Sequence, residues 1–280
     1  MVKNNKINIA EIKKYFLKKN IQVNLIKKFN SDASNKEFTL FDTSHDKYLA
    51  LSFRNQPKDF KSYINATNSL HALKMPVPPV IYSSRKTVTI LMRYLPNDNA
   101  TKYFKTKYLT TILQTASNHL TKIRNSKLKF DKIPKKASDS LRKSAIWGLS
   151  LYVEHYKKKI DGYDFILNLL IKNLNNTFKK LSKYKPVLTH GDFFLDNLIF
   201  YDDKVWIIDH QDLVYDHPLL DIASLIYDAR RIYSKKIVDN TLYAYLKDVK
   251  ASQKQNMIDN IHLVSLARNL RVLGAWVYLH

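Results

Sequence analysis

The most informative pattern in this 280-residue chain is VLTHGDFFLDNLIFYDDKVWIIDHQD, residues 187–212. Its first apolar run leads into His190-Gly191-Asp192, and Asn197 follows Asp192 by five positions. Two further apolar runs flank the polar turn 201–204, which predicts a β-hairpin. The second strand of that hairpin ends directly before Asp209. The pattern therefore predicts a loop carboxylate followed by a hairpin that carries an amide at one end and a carboxylate at the other.

Aspartate is concentrated in and after this pattern. Residues 192–228 contain nine aspartates and one basic residue, Lys204, so the local net charge is −8 in a chain of net charge +23. Some of these residues, such as Asp202 and Asp203, belong to a turn. Neighbouring carboxylates repel one another unless a cation or a helix N-terminus compensates their charge. The remaining cluster therefore predicts a hard divalent cation, and Mg²⁺ is the best match.

Cysteine and glycine usage excludes several kinds of site. The chain has no cysteine, which rules out disulfide scaffolds, thiolate zinc sites, iron–sulfur clusters and a cysteine nucleophile. Its four glycines are too far apart for a dinucleotide-binding or Walker-type phosphate loop: Gly148, Gly162, Gly191 and Gly274. A nucleotide must therefore be bound without these loops. Hydrophobic residues make up 45% of the chain, which is ample for a core.

The first third of the chain mixes strand and helix patterns. Helical apolar spacing covers residues 9–17 and 58–73, and the second stretch ends before Pro76. The strand candidates are residues 23–29, 38–41, 48–53, 80–82 and 88–92. The order of three strands, a helix and two strands predicts a five-stranded antiparallel sheet with one helix.

The remaining two thirds are mostly helical. The amphipathic stretches and short strand candidates are residues 108–123, 137–156, 165–181, 187–189, 198–200 and 205–208, with helices resuming from Pro218. The turn Pro96-Asn97-Asp98 interrupts the pattern between the two parts. We therefore predict an N-lobe of residues 1–95 and a C-lobe of residues 96–280.

The spacing of the central pattern corresponds to kinase chemistry. In protein kinases a catalytic-loop aspartate is followed by a metal-binding asparagine, and a metal-binding aspartate follows the next hairpin. A rigid loop must aim one carboxylate at the acceptor hydroxyl, while the other two groups reach one metal from opposite sides of a hairpin. The segments HGDFFLDN (190–197) and IDHQD (208–212) resemble the aminoglycoside phosphotransferase/choline kinase-like superfamily of small-molecule kinases.

Other segments make the resemblance more specific. IDHQD, Pro218, YDARR (227–231) and RNLRVLG (268–274) are similar to bacterial N-acetylmuramate/N-acetylglucosamine anomeric kinases. The resemblance implies a protein-kinase-like α+β fold with a small antiparallel-sheet lobe, a mostly helical lobe and ATP between them. It also implies transfer of the γ-phosphoryl group to a sugar hydroxyl in cell-wall sugar recycling, with the anomeric hydroxyl of N-acetylmuramate or N-acetylglucosamine as the expected acceptor.

The resemblance implies a role for each matching residue. Asp192 would be the catalytic base or would orient the acceptor hydroxyl, and Asn197 and Asp209 would hold Mg²⁺. His190 and Asp221 would support the catalytic loop. The implied nucleotide contacts are Ser31, Ala33, Ser34, Met92 and Tyr94. The implied substrate contacts are Gln211, Asp212, Asp228 and Arg268.

One kinase feature has no counterpart, and alternatives therefore stay open. Kinases pair a Lys on the third strand with a helix Glu, but here the Lys position falls on Leu51 and residues 58–73 contain no Glu. One alternative is a non-catalytic protein that binds nucleotide or nucleic acid. The joint presence of Asp192, Asn197 and Asp209 argues against it, because binding alone does not need all three. A second alternative is a kinase of another small alcohol, such as an aminoglycoside, choline or homoserine.

The high positive charge does not by itself predict a nucleic-acid partner. The lysines are spread along the chain, and they accompany abundant Asn, Ile and Tyr, which indicates a compositional bias. Residues 1–16 lack the apolar core of a signal peptide, and no apolar run approaches about 18 residues. We expect a cytoplasmic monomer that binds ATP, Mg²⁺ and a small sugar, without a membrane or a specific nucleic acid.

Overall fold

The structure is a computed structural model that describes residues 7–30, 37–54, 56–96, 99–157 and 161–279. The chain divides into two compact units. One comprises Met1–Lys102 and Asp196–Asp212, and the other comprises Tyr103–Leu195 and Leu213–His280. The lobe boundary predicted between residues 95 and 96 stays a prediction, because the two units interleave along the chain.

The first unit is built on a twisted set of antiparallel strands with two helices and a hairpin. Its elements are α1 Ile9–Leu17, β1 Val23–Asn30, β2 Glu37–Thr43, β3 Lys47–Ser52, α2 Pro57–Ala72, β4 Val80–Ser84, β5 Thr89–Arg93, β7 Leu198–Tyr201 and β8 Lys204–Ile207. The first five strands form one sheet in the order β1-β2-β3-β5-β4, and every neighbouring pair is antiparallel. The predicted five-stranded antiparallel sheet is thus confirmed.

Helices cover both faces of this sheet. Successive residues of a strand point to opposite faces, and Ala50 and Leu51 of β3 accordingly belong to different hydrophobic clusters. Ala50 packs in the cluster of Phe16 from α1. Leu51 packs in the cluster of Tyr63 from α2 and Met92 from β5. Burial on both faces explains why β3 is apolar at consecutive positions, whereas a strand with one wet face would alternate.

The hairpin β7–β8 forms as the sequence predicts. Leu198 pairs with Ile207, and the two turn residues, Asp202 and Asp203, both have a left-handed backbone with φ of 53°. A two-residue hairpin turn of the favoured type requires positive φ at both positions, and aspartate tolerates it. The N–H of Ile207 donates to the carbonyl of Pro76 at 2.8 Å, which attaches the hairpin to the segment after α2.

The second unit is mainly helical. Its elements are α3 Tyr108–Arg124, α4 Ser140–Tyr156, α5 Tyr163–Phe178, β6 Val187–Thr189, β9 Val214–Asp216, α6 Leu220–Ile226, α7 Lys235–Leu246 and α8 Ala251–Leu279. Strands β6 and β9 pair antiparallel. Strand β9 was absent from the sequence prediction. Within the described ranges, no helix combines the length and the hydropathy of a membrane span.

Helices α4 and α8 cross with their backbones in direct contact. A Cβ atom at Gly148 would lie 2.1 Å from the carbonyl oxygen of Leu270, and one at Gly274 would lie 2.3 Å from the Cα of Gly148. Only glycine therefore fits at either position without moving a helix. Helix α8 also carries Arg268.

Candidate active site

The loop that leads into Asp192 is held by hydrogen bonds from its backbone N–H groups to a buried carboxylate. It begins directly after β6, which is paired with β9. The backbone then turns through Gly191, whose φ of 89° is accessible to glycine and strained for other residues. The carboxylate of Asp221, on α6, accepts from the N–H of His190 at 2.6 Å and from the N–H of Gly191 at 3.0 Å. These bonds fix the direction in which the chain enters Asp192.

Asp221 is deeply buried, and burial changes its acid–base behaviour. Burial raises the pKa of this carboxyl from 3.8 to about 6. The charge of His190 and the two backbone N–H donors oppose that rise, while Asp216 adds to it. The carboxylate is therefore ionised at neutral pH, where it accepts both backbone hydrogen bonds, and it takes up a proton in mild acid.

Arg268 places a positive charge beside Asp192. Its Nη2 lies 4.0 Å from Oδ1 of Asp192, and its Nη1 donates to Oδ1 of Asn269 at 3.2 Å. The residue is 3% exposed, and its Nε has no hydrogen-bond partner among the described residues. Burial lowers the pKa of Arg268, the charges of Arg271 and Arg230 lower it further, and Asp192 opposes them. Arginine remains charged despite such shifts, so Nε–H is a buried donor without an acceptor among the described residues.

Arg230 stacks on the ring of Phe194, two residues after Asp192. The Cζ atom lies 3.9 Å from the ring centroid. Buried Asp228 accepts from Nε of Arg230 at 2.9 Å and from Nη1 of Arg231 at 2.8 Å. Burial by itself would raise the pKa of Asp228, but the bonds and charge of Arg230 hold that pKa below 3.8. These contacts assign Asp228 to holding Arg230, and its contact with substrate stays a prediction.

Asn197 and Asp209 lie at the open end of the hairpin in the first unit. Beyond the last ladder pair, the N–H of Ile208 donates to the carbonyl of Asn197 at 3.0 Å. This bond keeps Asn197 and Asp209 at the same end of the hairpin. Asn197 is buried, and Asp209 has a left-handed backbone with φ of 57°.

The donor chemistry of this pair fits Mg²⁺. An amide oxygen and a carboxylate are hard ligands, and in phosphotransfer sites Mg²⁺ takes one or two protein groups together with phosphates and water. The described residues contain no group of three or more His, Cys, Asp or Glu side chains that could hold a metal. The assignment of Asn197 and Asp209 as ligands stays a prediction.

The predicted nucleotide contacts fall into two sets. Three of them lie outside the described residues: Ser31, Ala33 and Ser34. Met92 is buried in β5 and pairs with Leu49, and the N–H of Tyr94 donates to the carbonyl of Lys47 at 2.8 Å. Part of the main chain here is therefore engaged within the sheet, and contact with adenine stays a prediction.

Gln211 and Asp212 lie in the 3₁₀ turn His210–Asp212. The Oε1 atom of Gln211 is buried with no hydrogen-bond partner in the described part of the chain, whereas Asp212 is exposed. His210 is fully buried, and its Nε2 lies 2.7 Å from Oγ1 of Thr67 on α2. The sequence gives no sign of this pair, because no local pattern connects two residues so far apart in the chain.

Comparison of sequences links this geometry to known proteins. The family model described as "Phosphotransferase enzyme family" matches residues 25–254. The N-acetylmuramate/N-acetylglucosamine kinase of Caulobacter vibrioides is 29% identical over 98 residues, which are 33% of this chain and 27% of that protein. The chain thus matches about a quarter of the length of that curated relative.

Solved structures share the fold at low sequence identity. The ADP-bound aminoglycoside phosphotransferase APH(2'')-Ib has a TM-score of 0.65 at 17% identity, over 96% of this chain and 99% of that one. Choline kinase LicA from Streptococcus pneumoniae has a TM-score of 0.62 at 13% identity, over 97% and 99%. At identities this low, the similarity shows the fold alone. It confirms the predicted protein-kinase-like α+β fold.

The family match extends over most of the chain and includes both the loop of Asp192 and the hairpin of Asn197 and Asp209. It confirms the predicted class of enzyme, a phosphotransferase. This protein belongs to the phosphotransferase enzyme family.

Proposed function

We propose that this phosphotransferase uses ATP to phosphorylate the anomeric hydroxyl of N-acetylmuramate or N-acetylglucosamine, as a step in the recycling of cell-wall sugars. Family membership supports the phosphotransfer itself. The partial similarity to a kinase that is named for these two sugars supports the acceptor. The charged surroundings of Asp192 support it independently.

Buried Arg268 is the observation that carries the choice of acceptor. Aminoglycosides and choline are cations, and a guanidinium near the reacting hydroxyl would repel them. N-acetylmuramate carries a carboxylate, which matches the planar fork of an arginine. The Nε–H of Arg268 has no acceptor among the described residues, and a carboxylate would supply one.

In the proposed reaction, Asp192 orients the acceptor hydroxyl and accepts its proton while the oxygen bonds to the γ-phosphorus of ATP. The bond from that phosphorus to the bridging β–γ oxygen breaks, and ADP is the leaving group. Asp221 holds the loop that aims Asp192. Asn197 and Asp209 would hold Mg²⁺, which when bound neutralises charge on the phosphate oxygens.

Phosphorus NMR of the product tests the acceptor. We expect an anomeric phosphate with N-acetylmuramate and with N-acetylglucosamine. We expect Asp192→Ala to lower kcat by about 10²–10⁴-fold, the usual contribution of a positioned general base, with little change in ATP affinity. We expect Arg268→Gln to raise the KM for N-acetylmuramate by roughly tenfold, the equivalent of about 1.4 kcal/mol, and to raise the KM for N-acetylglucosamine less.

Arg142→Gln is the matched control, because Arg142 pairs with Asp139 and Asn175 instead. It should leave both KM values unchanged. A product phosphorylated at the primary hydroxyl would reject the anomeric acceptor. Activity on an aminoglycoside or choline without activity on either sugar would favour the alternative kinase hypothesis, whose support is the fold shared with those enzymes.

A further inference from the structure

Among its described residues, the first unit shows no lysine of β3 paired with a glutamate of α2, which is the ionic link that kinases use between the third strand and the helix. Leu51 occupies the strand position and is 4% exposed in the core. Lys47 pairs with Asp42 at 3.2 Å, with half of its side chain exposed. Helix α2 has no Glu, and the acidic residue of its first turn is Asp59. A connection between α2 and the loop of Asp209 must therefore use groups other than a Lys–Glu pair.

Such a connection exists between Thr67 on α2 and His210, which directly follows Asp209. Their Oγ1 and Nε2 atoms are 2.7 Å apart. The hydroxyl of Thr67 also donates to the carbonyl of Tyr63 at 2.9 Å, so its single proton is already used. His210 is therefore the donor, through Nε2–H. Thr67 is 1% exposed and His210 is 0% exposed, so water does not compete for this bond.

Tyr63 extends the connection to the central strands. Its ring lies 4.4 Å from the ring of His210, measured between centroids. Its hydroxyl donates to the sulfur of Met92 on β5 at 3.6 Å. Burial raises the pKa of Tyr63, and the negative charge of Asp209 raises it further.

Asp209 has a left-handed backbone with φ of 57°, and contacts on both sides of it hold this conformation. On one side of Asp209, the N–H of Ile208 is tied to Asn197. On the other side, the buried ring of His210 is tied to Thr67.

We propose that Thr67 and Tyr63, acting through His210, are positioning residues. They hold Asp209 in the orientation in which it binds a magnesium–nucleotide complex. In this chain a hydrogen bond links α2 to the loop of Asp209, whereas the ionic pair of kinases links the helix to the third strand. The inference rests on the proposed function, since it assigns Asp209 to the metal.

Calorimetry with Mg²⁺ and a non-hydrolysable ATP analogue tests this role. Thr67→Val keeps the shape of the side chain and removes the hydroxyl. We expect it to weaken binding of the analogue with Mg²⁺ by about tenfold and to leave binding in EDTA unchanged. Thr67→Ser should restore the affinity. In kinetics, the KM for ATP should rise while the KM for the acceptor stays constant.

Ser69→Ala is the matched control. Ser69 is a buried hydroxyl of the same helix that donates to the carbonyl of Asn65, four residues back, as Thr67 does to Tyr63. It should change neither affinity. If Thr67 and His210 act as one unit, the double variant Thr67→Val/His210→Phe should bind the ATP analogue no more weakly than the weaker of the two single variants.

Unchanged affinity of Thr67→Val in the presence of Mg²⁺ would overturn the inference. Equal weakening with and without Mg²⁺ would also overturn it, because that result indicates a general loss of structure. A wild-type protein that melts cooperatively but binds no analogue with Mg²⁺ would reject the proposed function itself, and the inference with it.

Discussion

Asp221 makes the stability of the fold depend on pH. Its carboxyl is 4% exposed, and both oxygens accept backbone N–H groups of residues 190 and 191. Burial raises its pKa to about 6, whereas the unfolded chain titrates near 3.8. Because the folded protein holds this proton more tightly than the unfolded chain, the contribution to stability is complete below pH ~4 and is lost as the pH rises through ~6.

We predict that this group alone lowers the free energy of unfolding by at most roughly 3 kcal/mol between pH 4 and 6, since one pKa unit corresponds to about 1.4 kcal/mol. Asp221→Asn stays neutral and should lack this component. Urea denaturation of both proteins from pH 4 to 7 measures this component. The free energy of unfolding of the variant, relative to that of the wild type, should increase as the pH rises. A difference that is independent of pH would contradict the prediction.

The contact between α4 and α8 has a strict steric requirement at Gly148 and Gly274. Gly148→Ala would place a methyl group against the backbone of Leu270 and Arg271. We predict that it lowers the free energy of unfolding by about 1–3 kcal/mol, the usual cost of overpacking, or more. Because α8 carries Arg268, we also expect a higher KM for the acceptor. Chemical denaturation and steady-state kinetics measure the two effects.

Gly162→Ala provides the comparison for that variant. A Cβ at Gly162 meets nothing within 4 Å, and the positive φ of 65° leaves only backbone strain. This change should cost about 1 kcal/mol and leave the KM for the acceptor unchanged. If Gly148→Ala lowers the free energy of unfolding no more than Gly162→Ala does, α4 and α8 do not approach as closely as described.

The charge of the whole molecule gives a prediction about partners. The net charge of +23 comes from 47 basic residues spread along the sequence, and residues 192–228 oppose it with a local charge of −8. We predict that binding to duplex or single-stranded nucleic acid is weak, independent of base sequence and steeply reduced by salt. Filter binding at about 50 and 200 mM salt measures it. Sub-micromolar binding that survives about 200 mM salt, or a clear preference for a base sequence, would revive the nucleic-acid hypothesis.

The local sequence was sufficient for the five-stranded sheet and for the hairpin that follows Asn197 and ends before Asp209. Strands such as β3 are short apolar runs and helices such as α2 carry an apolar period, so each was predicted to within one or two residues. The aspartates at 192 and 209 and the asparagine at 197 stand out because a loop, a hairpin and their spacing all lie within one short stretch. Strand β9 was missed, because it forms only by pairing with β6.

Contacts between distant parts of the chain could not be predicted from the sequence, and these contacts determine which groups surround the candidate site residues. The hydrogen bond of Thr67 with His210, the stacking of Arg230 on Phe194 and the approach of Arg268 to Asp192 each join residues from separate elements. Local periodicity carries information about one element at a time. Burial depth, and with it the raised pKa of Asp221, depends on everything packed around a group, so only the tertiary structure decides it.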